Sequence, residues 1–168
     1  QKVKRMNSQR TKHLVKRLYG LVGRDIDYSF SRTYFTEKFA RLGLIDFSYV
    51  NFDLETIEEF KSVVVPELDR IGGLNVTIPY KEEILPYLDE IDPEAAQIGA
   101  VNTIKVLPNN KLKGFNTDVY GFEASLKKLL GPEHKSALIL GTGGASKAVA
   151  HVLAKLGLSC QFVSRRKS

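Results

Sequence analysis

SALILGTGGASKAVAHVLAKLGLSCQFV, residues 136–163, holds two strand signals, a glycine-rich turn and a helix in one short span. SALIL (136–140) is an apolar run of the length of a buried strand, and SCQFV (159–163) reads as a second. Between them Ala145, Ala148, Val149, Val152, Leu153 and Leu156 recur at helical spacing, and Gly157 stops the helix. Strand, helix, strand is a βαβ unit, which favours a parallel pair joined by a right-handed crossover. The turn after the first strand is Gly141-Thr142-Gly143-Gly144-Ala145-Ser146. Glycines at its first and third positions permit a tight turn and a close backbone approach to a pyrophosphate at the helix N-terminus. Ser146 stands where G-x-G-x-x-G has its last glycine, so the motif is met in part, in the strand–turn–helix setting it requires.

The residues after the second strand bear on which dinucleotide fits. An acid about 20 positions beyond the first glycine would hold a ribose 2′-hydroxyl, whereas an Arg accommodates a 2′-phosphate. Here the chain reads Ser164-Arg165-Arg166-Lys167, without an acid. Arginine pairs bidentately with phosphate and stacks on adenine, so NADP is favoured; the plainer reading is a solvated basic end. A dinucleotide-binding sheet has about six strands. Only two are available here, so this second domain is expected to be incomplete as written.

Moving toward the N-terminus, Val119, Phe122, Leu126 and Leu129 mark a helix that Gly131-Pro132 ends. Residues 102–106 and 111–115 are strands joined by the turn Pro108-Asn109-Asn110, a hairpin signal. Residues 73–76 predict a further strand, followed by a loop over 77–79 and a helix over 81–88. Strands are expected at 18–23 and 46–52, with Phe35, Phe39 and Leu42 on one face of a helix between them. Residues 55–68 read as helical, with a break at Pro66. The expected class is α/β with two sheets: a first domain over 18–117, then a linking helix and the first βαβ unit of a Rossmann domain over 118–168.

Composition narrows the function. Of 168 residues, 43% are hydrophobic and 26% charged, enough to build a core, and no apolar run reaches the length of a membrane span. A single cysteine, Cys160, excludes a disulfide framework and a cysteine-built zinc site. Three scattered histidines give a metal site no support. The net charge of +6 is unevenly spread: residues 1–17 hold seven basic side chains and no acid. Removing those seven from the 25 basic residues leaves 18 against 19 acidic, so the body carries −1. With neither interleaved aromatics nor a recognition motif, nucleic-acid binding is not expected. The leader over 1–17 has a transit-segment composition but only a thin apolar stripe, and a disordered extension is expected there.

Four short motifs carry the chemistry. Asn75-Val76-Thr77-Ile78-Pro79-Tyr80-Lys81 leaves a strand and enters the expected helix. Its Asn and Thr offer donors and acceptors to a polyol, or Thr77 caps the helix. Lys81 is then either a surface lysine or, in a first helical turn whose dipole disfavours an ammonium, a proton-transfer group. Gly114-Phe115-Asn116-Thr117-Asp118 starts the linking helix, where Asp118 is an N-terminal helix charge or a site carboxylate. Ser29-Phe30-Ser31 follows the first strand, and its hydroxyls could hold a carboxylate or cap a helix. Gly99-Ala100-Val101-Asn102-Thr103 is similarly open between the two roles.

Taken in order and spacing with the glycine turn, these blocks resemble the shikimate dehydrogenase family from Tyr19 to Arg166. The resemblance implies a substrate-binding α/β domain followed by an NADP-binding Rossmann domain. It implies reversible NADPH-dependent reduction of 3-dehydroshikimate to shikimate, a step of aromatic amino-acid biosynthesis. By the same resemblance Ser29 and Ser31 would bind the substrate carboxylate, and Thr77, Asn102 and Asp118 the ring hydroxyls. Lys81 would bind substrate and act as acid/base, with Lys81 and Asp118 the catalytic pair. Gly141, Thr142, Gly143, Gly144, Ala145, Ser164, Arg165 and Arg166 would bind NADP, and no metal is implied. The implied partner is a small molecule, in a cytoplasmic monomer or homodimer. Ser164-Arg165-Arg166 departs from the Asn-Arg-Thr common in the family, and the nicotinamide-side loops and returning C-terminal helix lie beyond the sequence. Weak or no turnover by the 168 residues alone is therefore expected. Alternatives are an NAD-using quinate/shikimate dehydrogenase and a non-catalytic polyol-binding module.

Overall fold

The structure is a computed structural model that describes residues 17–164. The basic leader, apart from Arg17, and the cofactor candidates Arg165 and Arg166 lie outside the described residues. Arg17 already belongs to the fold: its N–H donates to the Arg70 carbonyl at 3.0 Å and its guanidinium meets Asp46 at 2.7 Å.

Three parallel strands, β1 (Leu18–Gly23), β2 (Ser48–Asp53) and β3 (Ile71–Val76), begin the larger sheet. The two-residue β4 (Glu90–Ile91) and the hairpin strands β5 (Thr103–Val106) and β6 (Leu112–Phe115) complete it. The strand order is β2-β1-β3-β5-β6-β4, with antiparallel pairing on both sides of β5. Strand alternation divides the sheet's faces. Leu18, Val22, Leu74, Val76, Ile104 and Val106 enter the main core, while Tyr19, Leu21 and Tyr49 lie on the other face. Helix α1 (Phe30–Arg41) covers that second face at one end, stacking Phe35 on Tyr49 with ring centres 4.6 Å apart.

The main core is closed by two segments that the periodicity misassigns. Residues 55–68 bury Ile57, Phe60, Val64 and Leu68 at helical spacing. They do so through a 3-10 turn, a π turn at Phe60–Val64 and another 3-10 turn, not a regular α-helix. Pro66 has no N–H to give the ladder. Residues 81–88 form turns with a short 3-10 stretch at Leu85–Tyr87 in place of the expected helix. The Lys81 carbonyl accepts from Val101 N–H at 2.7 Å, and the Leu85 N–H turns instead to the Glu82 carbonyl. Two elements escaped the sequence reading, β4 and α2 (Pro93–Ile98). The latter carries its own signals: Asp92 caps Glu94 N–H, Pro93 opens the helix and Gly99 closes it at φ 70°.

The second unit follows the expected βαβ order. Helix α3 (Asp118–Leu126) links the two sheets. Strands β7 (Ser136–Leu140) and β8 (Ser159–Val163) pair in parallel and flank α4 (Gly144–Lys155), with Gly157 at φ 78° just past the helix. The two units meet through a buried cluster of Ile98, Ala100, Val119, Ala148 and Val152, against which Phe122 and Leu156 pack.

Ion pairs reinforce this contact. Glu123 on α3 meets Lys127 at 2.6 Å and Lys155 of α4 at 2.9 Å, and Lys147 reaches Glu82 at 2.5 Å. The hydrogen bonds from Lys127 and then Lys155 hold the Glu123 carboxyl down at about 2, from an ordinary 4.5. A depressed carboxylate contributes stability that is complete above its unfolded value and disappears as pH falls through its folded value. The stability difference between wild type and Glu123→Gln should therefore be constant above about pH 5 and shrink from pH 4.5 toward pH 2. Urea unfolding across that range measures it, and a pH-independent gap would contradict this account.

Candidate active site

Three chain segments deliver the polar cluster at the ends of β3, β5 and β6. Asn102 immediately precedes β5, and its main chain bridges the sheet: Val76 N–H donates to its carbonyl at 2.8 Å and its own N–H to Phe115 O at 3.0 Å. Residues 116–118 then turn over its side chain. Asn116 Oδ1 accepts from Asp118 N–H at 3.1 Å, and Asn116 Nδ2 donates to the Ala100 carbonyl at 3.0 Å. This Asx-type turn starts α3 with Asp118 at its first position.

Lys81 Nζ donates to Asp118 Oδ2 at 2.6 Å, and Asn102 Nδ2 donates to Asp118 Oδ1 at 2.9 Å. Both carboxylate oxygens are thus engaged, and each bond is charge-assisted. Lys81 is 16% exposed and Asp118 37%, so the pair is reachable from solvent while its amine is largely enclosed. No regular helix begins at Lys81, so the dipole field expected there is missing. Its position comes instead from the bond of its carbonyl to Val101 and from contact with the second unit.

The other candidates are placed as follows. Ser29 caps α1, its Oγ accepting from Ser31 N–H at 3.2 Å. Ser31 faces the buried phenol of Tyr49. Thr77 follows β3; its N–H donates to Val22 O, and its methyl lies against Gly23, where a Cβ would come within 2.6 Å. The structure therefore joins Lys81, Asn102 and Asp118 directly, whereas Ser31 connects to them only through intermediates. Asn75 and Thr103 stand inside the motif blocks, Asn75 as a polyol contact, but their part as intermediates, and that of Tyr49, was not readable from the sequence. Tyr49 donates to Asn75 Oδ1 at 2.8 Å, Asn75 Nδ2 to Thr103 Oγ1 at 3.4 Å, and Thr103 to Asn102 Oδ1 at 3.0 Å. Polar Asn75 inside an otherwise apolar strand was the available signal.

A cavity of about 460 Å³ lies elsewhere, under α1, walled by Tyr19, Phe35, Phe39, Phe47 and Tyr49. Its polar wall atoms on Tyr49, Asn75 and Thr103 are bonded to one another, and the rest of the wall is mostly aromatic and aliphatic, with Lys105 at its edge.

The glycine turn fits a phosphate-bearing cofactor. Gly141 has φ 119°, Gly143 has open space where a Cβ would stand, and α4 starts without a side-chain cap, leaving its N–H groups available. Thr142 and Ala145 are exposed along this turn, and Ser164 follows β8. Gly144 faces the other way: a Cβ there would lie 3.1 Å from Lys81 Cβ and 3.3 Å from Ala100 Cβ. Among the described residues, no helix is long and apolar enough to cross a membrane.

A lysine–carboxylate pair at the strand ends of a mixed sheet, docked on a βαβ unit with a glycine turn, defines an α/β protein of two packed units. The family described as shikimate dehydrogenase substrate binding domain matches residues 21–104, and the chain belongs to the shikimate dehydrogenase family. It is 41% identical over 152 residues to the shikimate dehydrogenase (NADP(+)) of Aquifex aeolicus (strain VF5), across 89% of this chain and 55% of that protein. A crystal structure of shikimate dehydrogenase from Aquifex aeolicus superposes with a TM-score of 0.79 at 40% identity, covering 91% of this chain and 57% of that one. The Thermus thermophilus enzyme in complex with NADP(H) and shikimate gives 0.75 at 35% identity, covering 89% and 56%. The chain spans about half the length of the curated relatives it matches.

The two neighbouring glycines of the turn make contrasting demands. Gly144→Val should overpack the contact with Lys81 and Ala100, costing about 1–3 kcal/mol of stability. Gly143→Ala should cost under about 1 kcal/mol, since it fills open space at an N-cap. Urea denaturation of both variants checks the ranking; equal losses would contradict the packing shown here.

Proposed function

We propose that this chain carries the shikimate site and the proton-transfer pair for reversible NADPH-dependent reduction of 3-dehydroshikimate. The observation that carries the reading is the Lys81–Asp118 bond at 2.6 Å, with Asn102 on the second carboxylate oxygen. The names of the relatives and the shikimate and NADP(H) complex of the Thermus thermophilus enzyme support it. They favour NADP over the NAD-using alternative. In this reading residues 18–117 are the substrate domain and 118–168 the linking helix and start of the cofactor domain. The protein acts in the cytoplasm as a monomer or homodimer.

NADPH, when bound, supplies the hydride. Lys81 Nζ delivers a proton to the substrate carbonyl oxygen and stabilises the alkoxide that develops there. In the reverse direction it removes the hydroxyl proton. Asp118 fixes the direction of the Lys81 N–H groups and accepts from a ring hydroxyl. Asn102 and Thr77 take the remaining hydroxyls, and Ser29 and Ser31 the carboxylate. Gly141, Thr142, Gly143, Gly144 and Ala145 form the turn for the pyrophosphate, and Ser164, Arg165 and Arg166 the 2′-phosphate side.

Shikimate binding can be measured on this chain by calorimetry, and oxidation of shikimate with NADP on the full-length protein. Lys81→Met and Asp118→Asn should each lower kcat about 10²–10⁴-fold, the range typical of general acid–base groups. Replacing Arg165 and Arg166 together with Leu should raise KM for NADP far more than for NAD, since only NADP has a 2′-phosphate. A wild-type chain that binds no shikimate would overturn the reading.

A further inference from the structure

We infer that Thr103 is a positioning residue for Asp118, acting through the Asn102 carboxamide. The inference rests on the reading of Lys81 and Asp118 as the reacting pair. Asn102 is 9% exposed, so its amide must find its partners inside the protein. Its Oδ1 accepts the Thr117 backbone N–H at 2.9 Å, a group that can only donate, and this settles which way the amide faces. Its Nδ2 is thereby aimed at Asp118 Oδ1 and Thr117 Oγ1, both at 2.9 Å.

Thr103 adds a further donor to Asn102 Oδ1, at 3.0 Å, beside the Thr117 hydroxyl at 3.1 Å, and it has only one hydroxyl proton to give. Where that proton goes is decided on its other side. Asn75 Nδ2 faces Thr103 Oγ1 at 3.4 Å as a donor, because Asn75 Oδ1 is occupied by the Tyr49 hydroxyl at 2.8 Å. With Asn75 reversed, Thr103 would donate to Asn75 and abandon Asn102. Burial pushes the Tyr49 phenol up to about 12, so it keeps its proton throughout the working pH range, and the smaller opposing pull of a Ser31 hydrogen bond on its oxygen leaves that proton for Asn75 Oδ1. The run Tyr49–Asn75–Thr103–Asn102–Asp118 therefore has a single donor-to-acceptor direction. Each donation polarises the next group, so the Asn102 N–H bond to Asp118 is strengthened by the Thr103 hydroxyl.

Thr103→Val removes the hydroxyl and keeps the shape, and Thr103→Ser keeps the hydroxyl. In the full-length protein Thr103→Val should lower kcat for shikimate oxidation about 3–10-fold, the worth of one neutral hydrogen bond, and leave KM for NADP unchanged. Thr103→Ser should stay within about twofold of wild type on the same scale. In this chain, the Asn102 side-chain amide protons should exchange with solvent faster in Thr103→Val than in wild type, and at the wild-type rate in Thr103→Ser, read by nitrogen-edited NMR. Unchanged Asn102 exchange in Thr103→Val would overturn the inference. So would a Ser variant as impaired as the Val variant, since the methyl and not the hydroxyl would then matter. A wild-type protein inert toward shikimate would instead sink the functional reading, while the exchange comparison would still decide the role of Thr103.

Discussion

The Asn102 carboxamide is a buried group whose oxygen and nitrogen both need partners, and the sheet ends are arranged around supplying them. Leaving a buried donor or acceptor unpaired costs about 1–3 kcal/mol, so the chain segments that serve this side chain have little freedom. Thr117 must bring its backbone N–H to Oδ1, which obliges β6 to end at Phe115 and the chain to turn at once. That turn sets the first residue of α3, and so places Asp118 within reach of both the amide and Lys81. The direction of α3 follows, and with it the seat on which α4 packs.

Apolar contact and charge share the work of holding the second unit. Val119, Ala148 and Val152 are almost wholly buried, and small side chains at Ala100 and Ala148 let α4 approach the loop before β5 closely. Lys147–Glu82 and Lys155–Glu123 flank that contact. Lys147–Glu82 is part-exposed at both ends and contributes little by itself, whereas Glu123 is only 15% exposed and is bonded by both Lys127 and Lys155.

Legibility in the sequence followed how local the determining forces are. The βαβ unit was readable to its strand boundaries because apolar period, glycine turn and stop signal all act within a few residues. The hairpin around Pro108-Asn109-Asn110 was readable for the same reason. Residues 55–68 kept the expected inward face but not the expected ladder, since Pro66 and neighbouring β-branched valines disturb the backbone without moving the apolar positions. Lys81 illustrates the opposite case. Its carbonyl is claimed by Val101, about 20 residues away in sequence, and no local pattern announces that. The site was legible as residue types in motif blocks. What could not be read was the connection between blocks: Tyr49, Asn75 and Thr103 lie on three strands that share one sheet only after it has formed.

The close contact between Gly144 and Lys81 has a mechanical consequence. The separation of the glycine turn from the Lys81 backbone is set by atoms at the main chain or one bond from it, with no long side-chain rotamer between them to absorb error. Tolerances in the two units therefore do not accumulate along a flexible linkage; they are referenced to one shared point.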